Sequence, residues 1–305
     1  MKIAVFGGSG FIGKYIVQRL LNKGYPVRVV DIRHEDIKGT EFYMADVTNL
    51  NQITNVLDNV DIVYCLTGTV SNTARKNTHL AVSLDIYGTS NVLEACVKNS
   101  IAKIIYASSF YVYDGLPSDQ DVDENHHSSI FNAEIFGVVK LLAERLILEY
   151  NRRFGLKYVI LRYGPAYGPD ERCTCVIKDF IEKGLQQEDI VVWGRGNRKN
   201  QYTYVEDIAE GSVSAMPFEN EIFNLISPEQ LSIRQIAELL ATKYGFKVKY
   251  DSSKPEGPSM PYISPQKAME KLNWKPLPLE EGVEKTYLKM RTKMFKHPPA
   301  KHVVD

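Results

Sequence analysis

The segment Gly7-Gly8-Ser9-Gly10-Phe11-Ile12-Gly13 narrows the folds open to this chain more than any other feature. Read from Gly8 it is G-x-G-x-x-G, and read from Gly7 it is G-x-x-G-x-x-G. Lys2 to Phe6 ahead of it reads as a strand. Phe11 to Lys23 behind it reads as a helix, with Ile12, Tyr15, Ile16 and Leu20 on one face. Glycine lets the backbone turn tightly and approach a pyrophosphate, and the helix start adds unpaired N–H groups and the positive end of a dipole. A glycine pattern alone is a weak signal. Here Asp31 also closes the second strand about 20 residues on, where a dinucleotide's ribose diol is held. The combination points to a bound dinucleotide, with Gly7, Gly10, Phe11, Ile12 and Gly13 at the phosphates and Asp31 at the ribose. A carboxylate there repels a 2′-phosphate, so NAD is expected over NADP, although Arg33 nearby leaves some room for NADP. Asp46, after the third strand, can reach the adenine edge; its rival role is that of an acid near a helix N-terminus.

Beyond the loop, short β-branched runs alternate with stretches of helical spacing. Val27–Val30, Asp61–Leu66, Lys103–Ala107 and Tyr158–Arg162 read as strands, and Leu50–Leu57, Thr78–Asn99 and Glu134–Phe154 as helices. Such alternation predicts an α/β fold, a doubly wound parallel Rossmann sheet covered on both faces. After Tyr163 the texture changes to Gly164, Pro165, Gly168 and Pro169, then to shorter elements. We therefore expect a dinucleotide-binding domain over residues 1–165, with a return segment at about 200–218, and a smaller substrate-binding domain over 166–295. Ser232 and Gln235 form a capping box for a helix ending near Gly245. Pro255–Pro265 reads as irregular, Leu279–Met290 as a last helix, and 296–305 as an unstructured tail.

Composition removes several classes of function. Lys plus Arg and Asp plus Glu both count 37, so no charge excess calls for nucleic acid or an acidic membrane. No run approaches the roughly 18 apolar residues of a membrane span, and the first strand is too short for a signal-peptide core. Cys65, Cys96, Cys173 and Cys175 fit neither a zinc site nor a disulfide framework, and the Cys173-Thr174-Cys175 pair reads as loop. His126 and His127, in a polar loop without metal spacing, read as surface, so no metal is expected. With thiols expected to be reduced and no signal-peptide core read at the first strand, a cytoplasmic protein is expected.

With these residues in hand, the chain resembles the extended short-chain dehydrogenase/reductases, specifically the NAD-dependent epimerase/dehydratase family acting on nucleotide sugars. The resemblance runs from Lys2 to about Tyr287. It rests on Gly7–Gly13, Asp31, Asp46-Val47, Gly88-Thr89 with Asn91–Ala95, and Ala107-Ser108-Ser109 with Val112-Tyr113. Lys140-Leu141 with Ala143-Glu144, Tyr167-Gly168-Pro169, Tyr204-Val205-Glu206-Asp207 and Leu272–Pro276 also match. The resemblance implies NAD as cofactor, held additionally by Val47, Leu66, Thr67, Gly68, Asp85 and Lys140. Thr67-Gly68 stands where the family has a small Ala pair, and Asp85 where Asn is usual. It also implies a homodimer, paired through the helices at Thr78–Asn99 and Glu134–Phe154.

In the family, a Ser or Thr, a Tyr and a Lys four residues after it oxidise the sugar at C4. The Lys binds the nicotinamide ribose and lowers the Tyr pKa, so that the phenolate takes the hydroxyl proton. Ser109 and Lys140 match two of these positions, but Phe136 occupies the third. Three readings are open: another group transfers the proton, the chemistry is not C4 oxidation, or the site binds without turnover. Tyr111 is the candidate substitute, because alternation along an extended segment would put Ser109, Tyr111 and Tyr113 on one side; core packing is its rival role. The substrate end departs as well. Pro165 stands for an Asn that touches the diphosphate, and Asn200 for an Arg that pairs with it. Arg198 and Lys199 lie just upstream, and no Arg occurs near Met260–Ser264. Asn200, Arg198 and Tyr204 are the substrate-binding candidates. The expected function is epimerase- or dehydratase-type chemistry on a nucleotide-linked or otherwise phosphorylated sugar; the alternative is a silent NAD-binding sensor or scaffold.

Overall fold

The computed structural model describes residues 1–296; residues 297–305, most of the tail read above as unstructured, lie outside the described residues. Seven strands form one sheet, all of them parallel. In chain order they are Ile3–Phe6 (β1), Val27–Asp31 (β2), Thr40–Met44 (β3), Ile62–Cys65 (β4), Lys103–Ser109 (β5), Lys157–Tyr163 (β6) and Glu221–Leu225 (β7). Across the sheet the order is β7-β6-β5-β4-β1-β2-β3. Strands covered on both faces need apolar residues on both, which is why β1 and β4 read as unbroken apolar runs.

Alternation along β1 feeds two cores. Ile3 and Val5 pack with Ile16, Val17 and Leu20 of the helix Phe11–Asn22 (α1) and with Ile208 and Val213 of a later helix. Ala4 and Phe6 point the other way, to Ile53, Val92, Leu93, Ala143 and Ile147. Each large aliphatic chain so buried contributes roughly 1.5–3 kcal/mol. Strand order reverses between β1 and β4, and in such sheets the crevice beyond the strands' C-terminal ends is the ligand position.

The smaller lobe is built from the helices Val176–Leu185 and Ile233–Tyr244 and the parallel strand pair Ile190–Trp193 and Val248–Asp251. Ile177, Phe180, Ile190, Val192, Ile236 and Leu240 form its core. The capping box of Ser232 and Gln235 is formed, and Gly245 ends the helix in the left-handed region.

Three elements differ from expectation. The sheet takes its edge strand from Glu221–Leu225, beyond the return segment expected at 200–218. The last helix runs Leu279–Lys296, longer than read and including Lys296, the first residue assigned to the tail. The helix expected over Thr78–Asn99 is interrupted: Thr78–Ala81 and Thr89–Lys98 are α-helical, but Val82–Gly88 winds as a π-helix. Its wider turn brings Asp85 to full burial, and such insertions concentrate at functional sites.

Candidate active site

The glycine loop joins β1 to α1. Gly7 has φ +77°, and a Cβ there would press on the Leu66–Thr67 backbone at 3.1 Å. At Gly13 a Cβ would drive into the Gly7 carbonyl and the Gly8 Cα. Only glycine permits so close a fold of the loop on itself. Gly10 caps α1 without a side-chain hydrogen bond, so the first amides of the helix have no protein partner from their cap. The Ser9 hydroxyl is also buried without a partner among the described residues. At the end of β2, Asp31 accepts from the Ser9 amide at 3.1 Å and the Arg33 amide at 3.2 Å, which fixes its carboxylate beside the loop. The cradle fits a diphosphate with a diol beyond it.

Among the other cofactor candidates, Leu66 and Gly68 line the same cavity as the glycine loop. Thr67 turns its hydroxyl toward the Cys65 thiol at 3.6 Å. Val47 is buried against Gly88, and its carbonyl accepts from Asn91 Nδ2 at 3.0 Å. Asp46 is exposed and accepts from the Thr48 amide and hydroxyl, both at 2.8 Å, so here it shapes the turn before the next helix.

Ser109 and Lys140 both line this cavity. Ser109 ends β5, and Lys140 projects from the helix Ile135–Phe154. The Lys140 ammonium is 3.0 Å from Asp85 Oδ1 and donates to the Ala107 carbonyl at 3.1 Å. Burial opposes its charge, but the Tyr106 hydroxyl and the Asp85 carboxylate outweigh burial and hold its pKa above the ordinary lysine value. Phe136 lies one turn earlier on the same helical face, its ring centroid 5.8 Å from Lys140 Nζ.

The expected alternation of Ser109, Tyr111 and Tyr113 does not hold, because Phe110–Tyr113 is a 3-10 turn rather than an extended segment. Ser109 Oγ caps that turn by accepting from the Tyr111 amide at 3.3 Å. Tyr113 is consequently buried: its hydroxyl donates to Asn224 Oδ1 at 2.8 Å and accepts from Arg162 Nη1 at 2.8 Å. Tyr111 still lines the cavity, with its ring 5.2 Å from that of Phe136. Beneath the site, Arg162 grips Glu144 through two hydrogen bonds of 3.1 and 2.8 Å, and Ser108 donates to the same carboxylate.

The cavity, of about 1090 Å³, runs from the glycine loop past Ser109 and Lys140 to Arg198 and Asn200. Asn200 is 3% exposed, and its Oδ1 has no partner among the described residues; nor has Arg198 Nε. Tyr204 is not brought there. It packs on Tyr167 in the smaller lobe, with its hydroxyl donating to Glu206 at 3.2 Å. Four contributing residues were not foreseen. Arg172 reaches back over the glycine loop to the Ser9 carbonyl and to Glu35 Oε2 at 2.7 Å, anchored by Asp170. Glu256 accepts from the amides of Arg195, Asn197 and Arg198 at 2.6, 2.6 and 3.1 Å, contacts that hold its carboxyl below the usual range. Cys173 and Cys175, read as loop, line the cavity wall. The run Arg172–Cys175 begins two residues after Gly168-Pro169, separated from it by Asp170 and Glu171, which was the available signal; Glu256 had none.

Comparison with known proteins accords with this geometry. A sequence model described as the NAD dependent epimerase/dehydratase family matches residues 3–225, ending on the sheet's edge strand. A putative UDP-glucose 4-epimerase of Methanocaldococcus jannaschii is 31% identical over 295 residues, covering 93% of this chain and 96% of that protein. A UDP-glucuronate 4-epimerase of Thermodesulfobacterium geofontis is 29% identical, covering 92% and 94%. Among solved structures, UDP-glucuronic acid 4-epimerase of Bacillus cereus, in complex with UDP-glucuronic acid and NAD, superposes with a TM-score of 0.85 at 28% identity, covering 96% of this chain and all of that one.

Proposed function

The chain belongs to the NAD-dependent epimerase/dehydratase family, and on that premise we propose that it binds NAD and modifies a nucleotide-linked sugar by hydride transfer at a sugar carbon. One observation carries this reading: a single cavity connects the glycine loop, Ser109 and Lys140, and the polar atoms of Arg198 and Asn200 that have no partner among the described residues. When bound, NAD supplies the hydride acceptor and donor. The α1 amides hold its diphosphate and Asp31 its adenosine ribose diol. Lys140, kept charged, holds ligand hydroxyls, and Ser109 orients the sugar hydroxyl. Arg198 meets a phosphate as a guanidinium, and Asn200 Oδ1 accepts from a ligand hydroxyl or N–H.

Phe136 has no proton to exchange, so Tyr111, against its ring, takes the proton-transfer role. The test is turnover of a panel of nucleotide sugars with NAD, with products followed by mass spectrometry and NMR. Tyr111→Phe is expected to lose about 10²–10⁴ in rate. A normal rate in that variant removes Tyr111 from the mechanism, and no product across the panel refutes the enzyme reading in favour of a silent NAD-binding protein. Exposed Val82, Tyr87 and Leu142 on the two long helical segments support pairing with a second copy. Four unpaired cysteines support a reducing, cytoplasmic setting. No helix among the described residues is long and apolar enough to cross a membrane.

A further inference from the structure

Lys140 does not stand free. Asp85, its ion-pair partner at 3.0 Å, is itself fully buried, and its other oxygen accepts from the Thr69 amide at 2.9 Å and the Thr69 hydroxyl at 2.7 Å. Two features of the chain make room for it. The π-helical turn of Val82–Gly88 carries Asp85 inward, and Gly68 lacks the Cβ that would collide with Asp85 Oδ1 and lie 3.2 Å from Lys140 Nζ. On its other side, Lys140 faces the ring of Phe136, which cannot ionise. A buried ammonium left unpaired is strongly disfavoured, and one carboxylate in contact satisfies it. The anion comes from the π-helix, not from position 136.

We propose that Asp85 is a positioning residue: it takes the counter-ion place beside Lys140 that an ionised phenol one helical turn earlier would otherwise fill, so that the lysine holds ligand but does not activate a base. This rests on reading the Ser109–Lys140 region as the reaction site. Positions 85 and 136 are then coupled. A phenol introduced by Phe136→Tyr meets an ammonium whose charge is already balanced, and its proton is not drawn off. Neutralising Asp85 unbalances the ammonium and lowers the phenol's pKa.

The test uses the whole chain without cofactor or substrate. Phenolate absorbance is followed against pH in Phe136→Tyr and in Phe136→Tyr with Asp85→Asn, each read as a difference from its counterpart retaining Phe136. The other titratable and charged groups about Lys140 and position 136 are Tyr111, Tyr106, Tyr163, Cys65 and the Arg75–Glu134 pair, and all are common to the variants. The single variant is expected to titrate at or above the ordinary tyrosine value of about 10, and the double about 1–3 pH units lower. Equal titration in the two, or a lower value in the single variant, overturns the proposal. Should Asp85→Asn fail to fold, Asp85→Ser removes the same charge and is read the same way. No dinucleotide enters the measurement, so its failure leaves the NAD reading standing.

Discussion

Removing Glu144 should damage the fold before it touches the chemistry. Glu144 and Arg162 are 5% and 3% exposed, and their paired hydrogen bonds lie directly beneath the end of β5. Glu144→Ala leaves a guanidinium buried without its carboxylate, which costs about 3–5 kcal/mol in such settings. Arg162 keeps the Tyr113 hydroxyl at 2.8 Å and the carbonyls of Glu124 and His126 at 3.1 and 3.2 Å, so the loss belongs near the lower figure. Against a total stability of about 5–15 kcal/mol, a loss of ~3 is a fifth to three-fifths of the whole. Urea unfolding reads it directly: with a slope of about 1–3 kcal/mol/M, the midpoint falls by about 1 M or more. Replacing both partners, Glu144→Leu with Arg162→Met, should recover most of the loss, because the cost lies in the orphaned charge and not in the missing attraction. A loss below about 1 kcal/mol in Glu144→Ala, or a double variant less stable than the single one, would refute this reasoning.

Three further outcomes follow from the same structure. Gly13→Ala forces a methyl group into the Gly7 carbonyl and should open the loop, weakening dinucleotide binding by calorimetry while the sheet's circular dichroism persists. Burial pushes the Asp207 carboxyl up from 3.8 to about 6, against the Leu277 amide it accepts from at 2.9 Å. The folded state therefore keeps that proton to higher pH than the unfolded chain. The associated stability is full below the unfolded value and is lost as pH rises through about 6; Asp207→Asn should flatten the melting temperature over that window. Arg198→Ala should weaken binding of nucleotide diphosphate sugars, measured by calorimetry, by about tenfold or more, while leaving NAD affinity unchanged.

The sheet and the cofactor loop were legible because each rests on local chemistry. The apolar run Ile3–Phe6, ending at glycines, suits a strand covered on both faces, and Gly7 and Gly13 stand where a Cβ would collide with the loop backbone. What escaped depends on partners distant in sequence. Val82–Gly88 carries a periodicity that an α-helix would satisfy equally well, and its wider turn is favoured by the Asp85–Lys140 and Asp85–Thr69 contacts that form only on folding. Tyr111 and Tyr113 parted because Ser109 caps a tight turn where alternation presumed an extended strand. Tyr204 matched a motif, yet it packs on Tyr167 in the core of the smaller lobe and not against the cavity. The edge strand Glu221–Leu225 lay in a short stretch between Pro217 and Pro228 that resembles loop, and it is identified by its register against β6.

Titration calorimetry of the nucleotide-stripped protein with NAD and with NADP tests the account at its root. Saturable binding of NAD, at least about tenfold tighter than NADP, is the predicted result, with Asp31→Ala narrowing that preference. No heat and no rise in melting temperature with either dinucleotide would contradict it.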